Sequence, residues 1–221
     1  MIFGLSKRAG AIACLVVCGA CAQVALMSVT PIVAALARQV DQRTGREIVE
    51  LEQKQDWPGM LALARTLLQG EPVRADWWVL QGYALARQGQ HAAAAESYQQ
   101  ALRISPEDED ARLALGGSLS ELGRFEQAIQ TYRKALSNRP ESAPVYLALA
   151  EIYRKRGQPD LALPNYRESV RYEPDSEQAW AGLASAYHLT GQFERRDQAL
   201  QGLRRINPGA ADQFEKQYKS K

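Results

Sequence analysis

Side chains able to do chemistry are sparse in this sequence. Its cysteines, Cys14, Cys18 and Cys21, lie four and then three residues apart, which places them on one face of a helix. Its two histidines, His91 and His188, stand far from them and from each other. Three cysteines and two histidines are too few, at the wrong spacings, for a zinc site or a disulfide framework. No glycine-rich phosphate loop, nucleophile elbow or paired-histidine metalloprotease signature occurs. The cysteines then read as small apolar residues of a membrane helix, with Gly19 at a helix contact. His91 reads as a solvated turn residue. The run Glu107, Asp108, Glu109, Asp110 favours the N-terminus of the helix that follows it, through the helix dipole. As a partner site that run is a second choice. The prediction is no enzyme, no metal and no cofactor.

Charge narrows the partners. The 221 residues carry 27 basic and 25 acidic side chains, for a net charge of +2. The excess is Lys7 and Arg8, because no acid precedes Asp41 and the chain from Arg38 onward is balanced. A neutral body is a poor fit to nucleic acid, whose phosphates need a basic surface. A small-molecule substrate is not expected either.

Behind the basic head, Ala9 to Ala37 contains no charged side chain. A helix of about 20 apolar residues crosses a bilayer. The sequence therefore predicts a signal-anchor or transmembrane segment over residues 1–37, kinked by Pro31 near its far end. Two alternatives stay open. One is a cleavable signal peptide, cut after Ala20-Cys21-Ala22 or after Ala35-Leu36-Ala37. The other is a lipoprotein anchored through Cys21. Arg38, Arg43 and Arg46 nearly balance Lys7 and Arg8, so the orientation with the body outside rests on the default for a short basic N-terminus.

The body repeats. Prolines fall at 72, 106, 140, 174 and 208, and glycines at 89, 123, 157 and 191, each 34 residues after the last. Small residues recur at Gly82, Gly116, Ala150 and Ala184, and again at Ala94, Ala128 and Ala162. Tyrosines recur at Tyr98, Tyr132 and Tyr166. The small columns let two helices of a unit approach each other. The glycines end first helices where a left-handed residue is wanted, and the prolines separate units. Trp78, Tyr146 and Trp180 start first helices and fill the space between units.

This pattern resembles the tetratricopeptide repeat (TPR) family, whose unit is a 34-residue helix–turn–helix. The resemblance implies an all-α fold, a right-handed superhelical solenoid of TPR hairpins preceded by one transmembrane helix. Four units cover 75–108, 109–142, 143–176 and 177–210. Gln81 and Arg196 depart from the pattern, and Arg196 predicts looser pairing in the last unit. Residues 38–74 hold a degenerate first repeat or a helical linker. Its first helix, Arg46 to Lys54, is read as a possible extension of the membrane span, and Trp57 to Leu68 as its second. Pro164 should kink the second helix of its unit. Residues 211–221 form a capping helix through Phe214 and Tyr218.

The family's concave groove implies the binding residues. They are Asp76, Val79, Leu80, Tyr83 and Arg87 in the first clear unit, and Asp110, Leu113, Gly117 and Glu121 in the second. Leu147, Glu151, Arg154 and Lys155 follow in the third, then Gln178, Ala181, Ser185 and His188. The candidate hot spots are Val79, Tyr83, Arg87, Leu113, Leu147, Glu151, Arg154, Lys155 and His188. The polar clamp that holds chaperone C-termini in this family is missing, because Val79, Tyr83, Gly117 and Leu147 stand in its places. An extended or helical peptide with apolar anchors suits the lining. The expected function is a membrane-anchored interaction scaffold of a bacterial envelope, with its repeats in the periplasm. It would assist complex assembly such as cytochrome c maturation or pilus biogenesis. A fixed structural subunit of a transport or secretion complex is the alternative.

Overall fold

The computed structural model describes residues 30–70 and 73–219. The regular structure of these residues is all helical, in two compact units divided in sequence between Ile104 and Ser105. The first unit contains α1 (Pro31–Gln39), α2 (Gln42–Gln53), α3 (Trp57–Leu68), α4 (Ala75–Arg87) and α5 (His91–Ile104). The second contains α6 (Glu109–Glu121), α7 (Phe125–Asn138), α8 (Ala143–Lys155), α9 (Pro159–Tyr172), α10 (Glu177–Leu189), α11 (Phe193–Ile206) and α12 (Pro208–Lys219).

From α4 onward the helices pair as hairpins with one recurring turn. Gly89, Gly123, Gly157 and Gly191 all have φ near +70° there, a conformation that a Cβ would oppose. The next backbone N–H returns to a carbonyl in the last turn, as from Gln90 to Leu85 and from Arg124 to Leu119, both at 2.9 Å. Side-chain caps start two of the four first helices of these hairpins. Asp108 accepts from the Ala111 N–H at 2.9 Å, and Ser176 from the Ala179 N–H at 3.4 Å.

Within the hairpins the tyrosine column seats on glycine. A Cβ on Gly82 would come within 2.7 Å of the Tyr98 ring, and one on Gly116 within 2.3 Å of the Tyr132 ring. Tyr166 behaves differently. Its ring reaches forward to Gly182 on the next first helix, where a Cβ would stand 2.2 Å away. Ala94, Ala128 and Ala162 are fully buried on the second helices.

The departures from the pattern have local answers. Gln81 accepts a hydrogen bond from the Ser97 hydroxyl at 3.0 Å, so the missing aliphatic residue is replaced by a polar pair. Arg196 does not leave α10 and α11 loosely paired. Its guanidinium swings out over the Phe193 ring and bonds Asp197 at 2.7 Å, while Gly202 takes the close approach, against Trp180. Helix α9 continues through exposed Pro164, whose missing N–H leaves one i→i−4 bond unmade.

The N-terminal part differs from expectation. Residues up to 29, including Lys7, Arg8 and the three cysteines, lie outside the described residues, as does Pro72. No helix among the described residues is long and apolar enough to cross a membrane. Pro31 does not kink a longer helix. It opens α1 at the first helical turn, behind extended Thr30, where a missing N–H is harmless. Nor does α2 extend the preceding helix. Asp41 breaks the chain and caps α2 by accepting from the Arg43 and Thr44 N–H groups at 2.9 and 3.1 Å. The apolar residues 31–37 pack on protein: Val33 is fully buried, Leu36 is 4% exposed, and a Cβ on Gly45 of α2 would stand 2.5 Å from the Ala37 carbonyl oxygen.

Candidate functional site

Helix α1 lies along the first-helix face of its own unit. It touches α2 and α4, and it runs antiparallel to α4. At one end the Thr30 hydroxyl donates to the Tyr83 phenol oxygen at 3.1 Å. At the other the Arg74 guanidinium donates to the Gln39 carbonyl at 3.1 Å. The Tyr83 hydroxyl in turn donates to Glu52 Oε1 of α2 at 2.8 Å. Burial foremost pushes the Tyr83 phenol up to about 12, aided by the Glu52 carboxylate and opposed by the Thr30 bond.

This corrects the placement of two expected groove residues. Val79 is 2% exposed and Tyr83 8%, so neither is open to a partner. The two bonds above lay α1 alongside α4 over this stretch, and Val33 and Leu36, three apart on one face of α1, are themselves buried. Arg87 is exposed, with its guanidinium 4.5 Å from the centre of the Trp57 ring, a cation–π contact.

In the second unit the corresponding face is open. Leu147, Glu151 and Arg154 lie four and three apart on α8, hence on one face. Gln178, Ala181 and Ser185 do the same on α10. Helix α12 packs on α11 and leans over α10, bringing Phe214 and Gln217 to the same place. These side chains surround a hollow of about 550 Å³.

Its charges are settled internally. The Tyr166 hydroxyl donates to Glu151 Oε1, and Arg154 donates to Glu151 Oε2 through Nε at 2.8 Å and Nη2 at 2.7 Å. The bond to Glu151 holds the Arg154 guanidinium more firmly protonated than usual. Burial first, and then Glu151, push the Tyr166 phenol far above its ordinary value. What remains is an apolar centre of Leu147, Ala181 and Phe214, ringed by the amides of Gln178 and Gln217 and the Ser185 hydroxyl. Such a set holds side chains by burial and hydrogen bonds.

The other expected site residues lie elsewhere. Leu113 is half-buried beside a smaller hollow of about 230 Å³, with Glu109, Asp110 and Arg139 around it. Burial and neighbouring Asp108 raise the Asp110 carboxyl above its usual value. Lys155 bonds Glu121, its counterpart one repeat earlier, at 2.7 Å. His188 turns from the hollow towards α11, with its ring 5.8 Å from that of Phe193 and Nδ1 3.4 Å from Arg196 Nη1. Sequence reasoning gave Phe214 a capping role and passed over Gln217. The signal for both was their three-residue spacing on the last helix. Among the described residues no group of three His, Cys, Asp or Glu side chains could hold a metal ion.

Two tetratricopeptide-repeat sequence models match the chain. One matches over residues 85–152 and 119–162; the other, over 51–109 and 147–211, takes in more than half of it. Among solved structures, MamA is similar at 19% identity, covering 77% of this chain and 96% of its own, with a TM-score of 0.63. TTC0263, a thermophilic TPR protein of Thermus thermophilus, is similar at 19% identity, covering 82% of this chain and 98% of its own, with a TM-score of 0.64. No curated protein matches the chain.

Proposed function

The chain belongs to the tetratricopeptide repeat family, and on that footing we propose that it is a non-catalytic scaffold, anchored in a bacterial inner membrane, that captures a peptide or protein partner on its first-helix face. The observation that carries this reading is the hollow between α8, α10 and α12, with its apolar centre and polar ring. Apolar anchors bordered by hydrogen-bonding groups are what protein hot spots use. Nucleic acid fits poorly with a balanced body. The anchor is supported by sequence: even without the residues that α1 takes, Ala9 to Val29 supplies the roughly 20 uncharged residues that a bilayer asks for. In this reading the repeats are periplasmic and serve the assembly of an envelope complex.

Site-specific photocrosslinking in native membranes tests the reading. A crosslinker replacing Ser185 should capture a partner, and one replacing exposed Arg133 on second helix α7 should not. Capture from Arg133 alone would move the site off the concave face. Partner recovered in substoichiometric amounts marks a client, and a fixed ratio marks a structural complex. A carbonate wash should leave the intact chain in the membrane pellet. A mature N-terminus at Gln23 or Arg38, by mass spectrometry, would sink the anchor.

A further inference from the structure

We infer that the hollow of the second unit takes a short, uncharged, apolar helix from a partner protein, docked along α8 and α10 as α1 is docked along α4. This rests on the groove reading above and names the kind of segment that fills the groove.

The argument is one of register. Leu147 and Ala181 stand two and three repeats after Val79, and Glu151 and Ser185 stand two and three repeats after Tyr83. Tyr83 is bonded by Thr30 at one end of α1, Arg74 bonds Gln39 at the other, and buried Val79 stands between those two bonds on α4. The repeat positions that line the open hollow are thus those that already hold a helix in the first unit. That bound helix specifies the chemistry of the fit. It runs from Pro31 to Gln39, buries an apolar pair three residues apart, and has no charge before Arg38.

Electrostatics point the same way. Glu151 is engaged by Arg154 and Tyr166, so the floor of the hollow presents a neutralised pair. A charged or extended acidic segment would meet no unpaired countercharge on this floor. A neutral helix needs none, and its backbone polar groups are satisfied within itself, which suits an apolar centre.

Two fluorescent peptides with the sequence of residues 30–41 serve as probes against the full chain, in which α1 occupies the first unit. One is held helical by a hydrocarbon crosslink on its solvent face. The other carries proline at the positions of Ala34 and Ala35 and stays extended. The helical peptide should bind at least about tenfold more tightly, as read by fluorescence anisotropy. Leu147→Glu should weaken it by at least about tenfold, and so should Ser185→Phe, which fills the hollow without adding charge. Far-ultraviolet circular dichroism of both variants should match that of the parent chain, which separates loss of binding from loss of fold. Equal or tighter binding of the extended peptide, binding indifferent to both variants, or no binding of the helical peptide overturns the inference. In each of those cases crosslinking from Ser185 reports separately on whether the groove captures a partner at all.

Discussion

Thr30 and Tyr83 are 53 residues apart in sequence and 3.1 Å apart in space, joined by a hydrogen bond from the threonine hydroxyl to the phenol oxygen. The same phenol donates to Glu52 at 2.8 Å, so three elements of the first unit close on one side chain. The bond to Glu52 is buried, where water is a poor substitute for the phenol.

Tyr83→Phe is therefore expected to destabilise the first unit by about 1–3 kcal/mol, because it strips the buried Glu52 carboxylate of its donor. Pairing it with Glu52→Gln, which removes the charge, should recover part of the loss. Urea unfolding followed by circular dichroism checks both. A neutral Tyr83→Phe would mean that Glu52 is served by another donor.

Adjacent glycines on α6 are expected to respond with opposite signs. Alanine inside a helix is ordinarily better than glycine by about 1 kcal/mol. Gly117→Ala should show that gain, since its Cβ would stand 3.8 Å from the nearest neighbour, the Tyr132 hydroxyl. Gly116→Ala places the methyl 2.3 Å from the Tyr132 ring and should cost about 1–3 kcal/mol through overpacking. Two melting temperatures decide it, and equal shifts would refute the seating of Tyr132 on Gly116.

Opening the first unit tests what α1 contributes. Val33 and Leu36 are buried, and each such side chain is worth about 1.5–3 kcal/mol. Leu36→Asp should release α1, lower the melting temperature and make Tyr83 accessible to tyrosine-modifying reagents. Unchanged protection of Tyr83 would show that other contacts hold the helix down.

The repeat was legible in the sequence because each of its marks answers a local backbone demand. A turn at φ near +70° asks for glycine at 89, 123, 157 and 191, and those residues repeat as the turn does. The role of α1 was not legible in the same way. Residues facing lipid and residues facing a protein hollow are equally apolar, so Ala9 to Ala37 reads as one run. The available signals were Pro31 as a helix start and Asp41 as a cap. Of the groove, Leu147, Glu151 and Arg154 do line one hollow, since their four- and three-residue spacing fixes a shared face. His188 occupies the same repeat position as Arg154, yet Phe193 and Arg196 draw it away, a competition that register cannot express.

Alkaline pH supplies a further check. Burial raises the phenols of Tyr83, Tyr98, Tyr132 and Tyr166 above the value of 10 for a free side chain. A group whose folded pKa is raised stabilises the fold fully below its unfolded value, and that stability is lost as pH climbs through the folded one. Stability should therefore hold to about pH 10 and fall beyond it. Tyrosinate absorbance should rise in two waves, exposed phenols first and these four together with the loss of helical circular dichroism. A single wave near pH 10, with helicity intact, would contradict their burial.

The position of the bond between Ala37 and Arg38 bears on maturation. It lies within α1, between buried Leu36 and the carbonyl of Gln39 that Arg74 holds. Proteases bind their substrates as extended chains, so this bond is shielded once the body has formed. Cutting there would have to precede folding, and it would remove most of α1 together with the Thr30 bond to Tyr83. The earlier candidate bond, between Ala22 and Gln23, lies before the described fold and would leave α1 whole. Were the chain processed, the choice of bond would decide whether the face around Tyr83 stays covered: a cut before α1 would leave it closed, and a cut within α1 would open it.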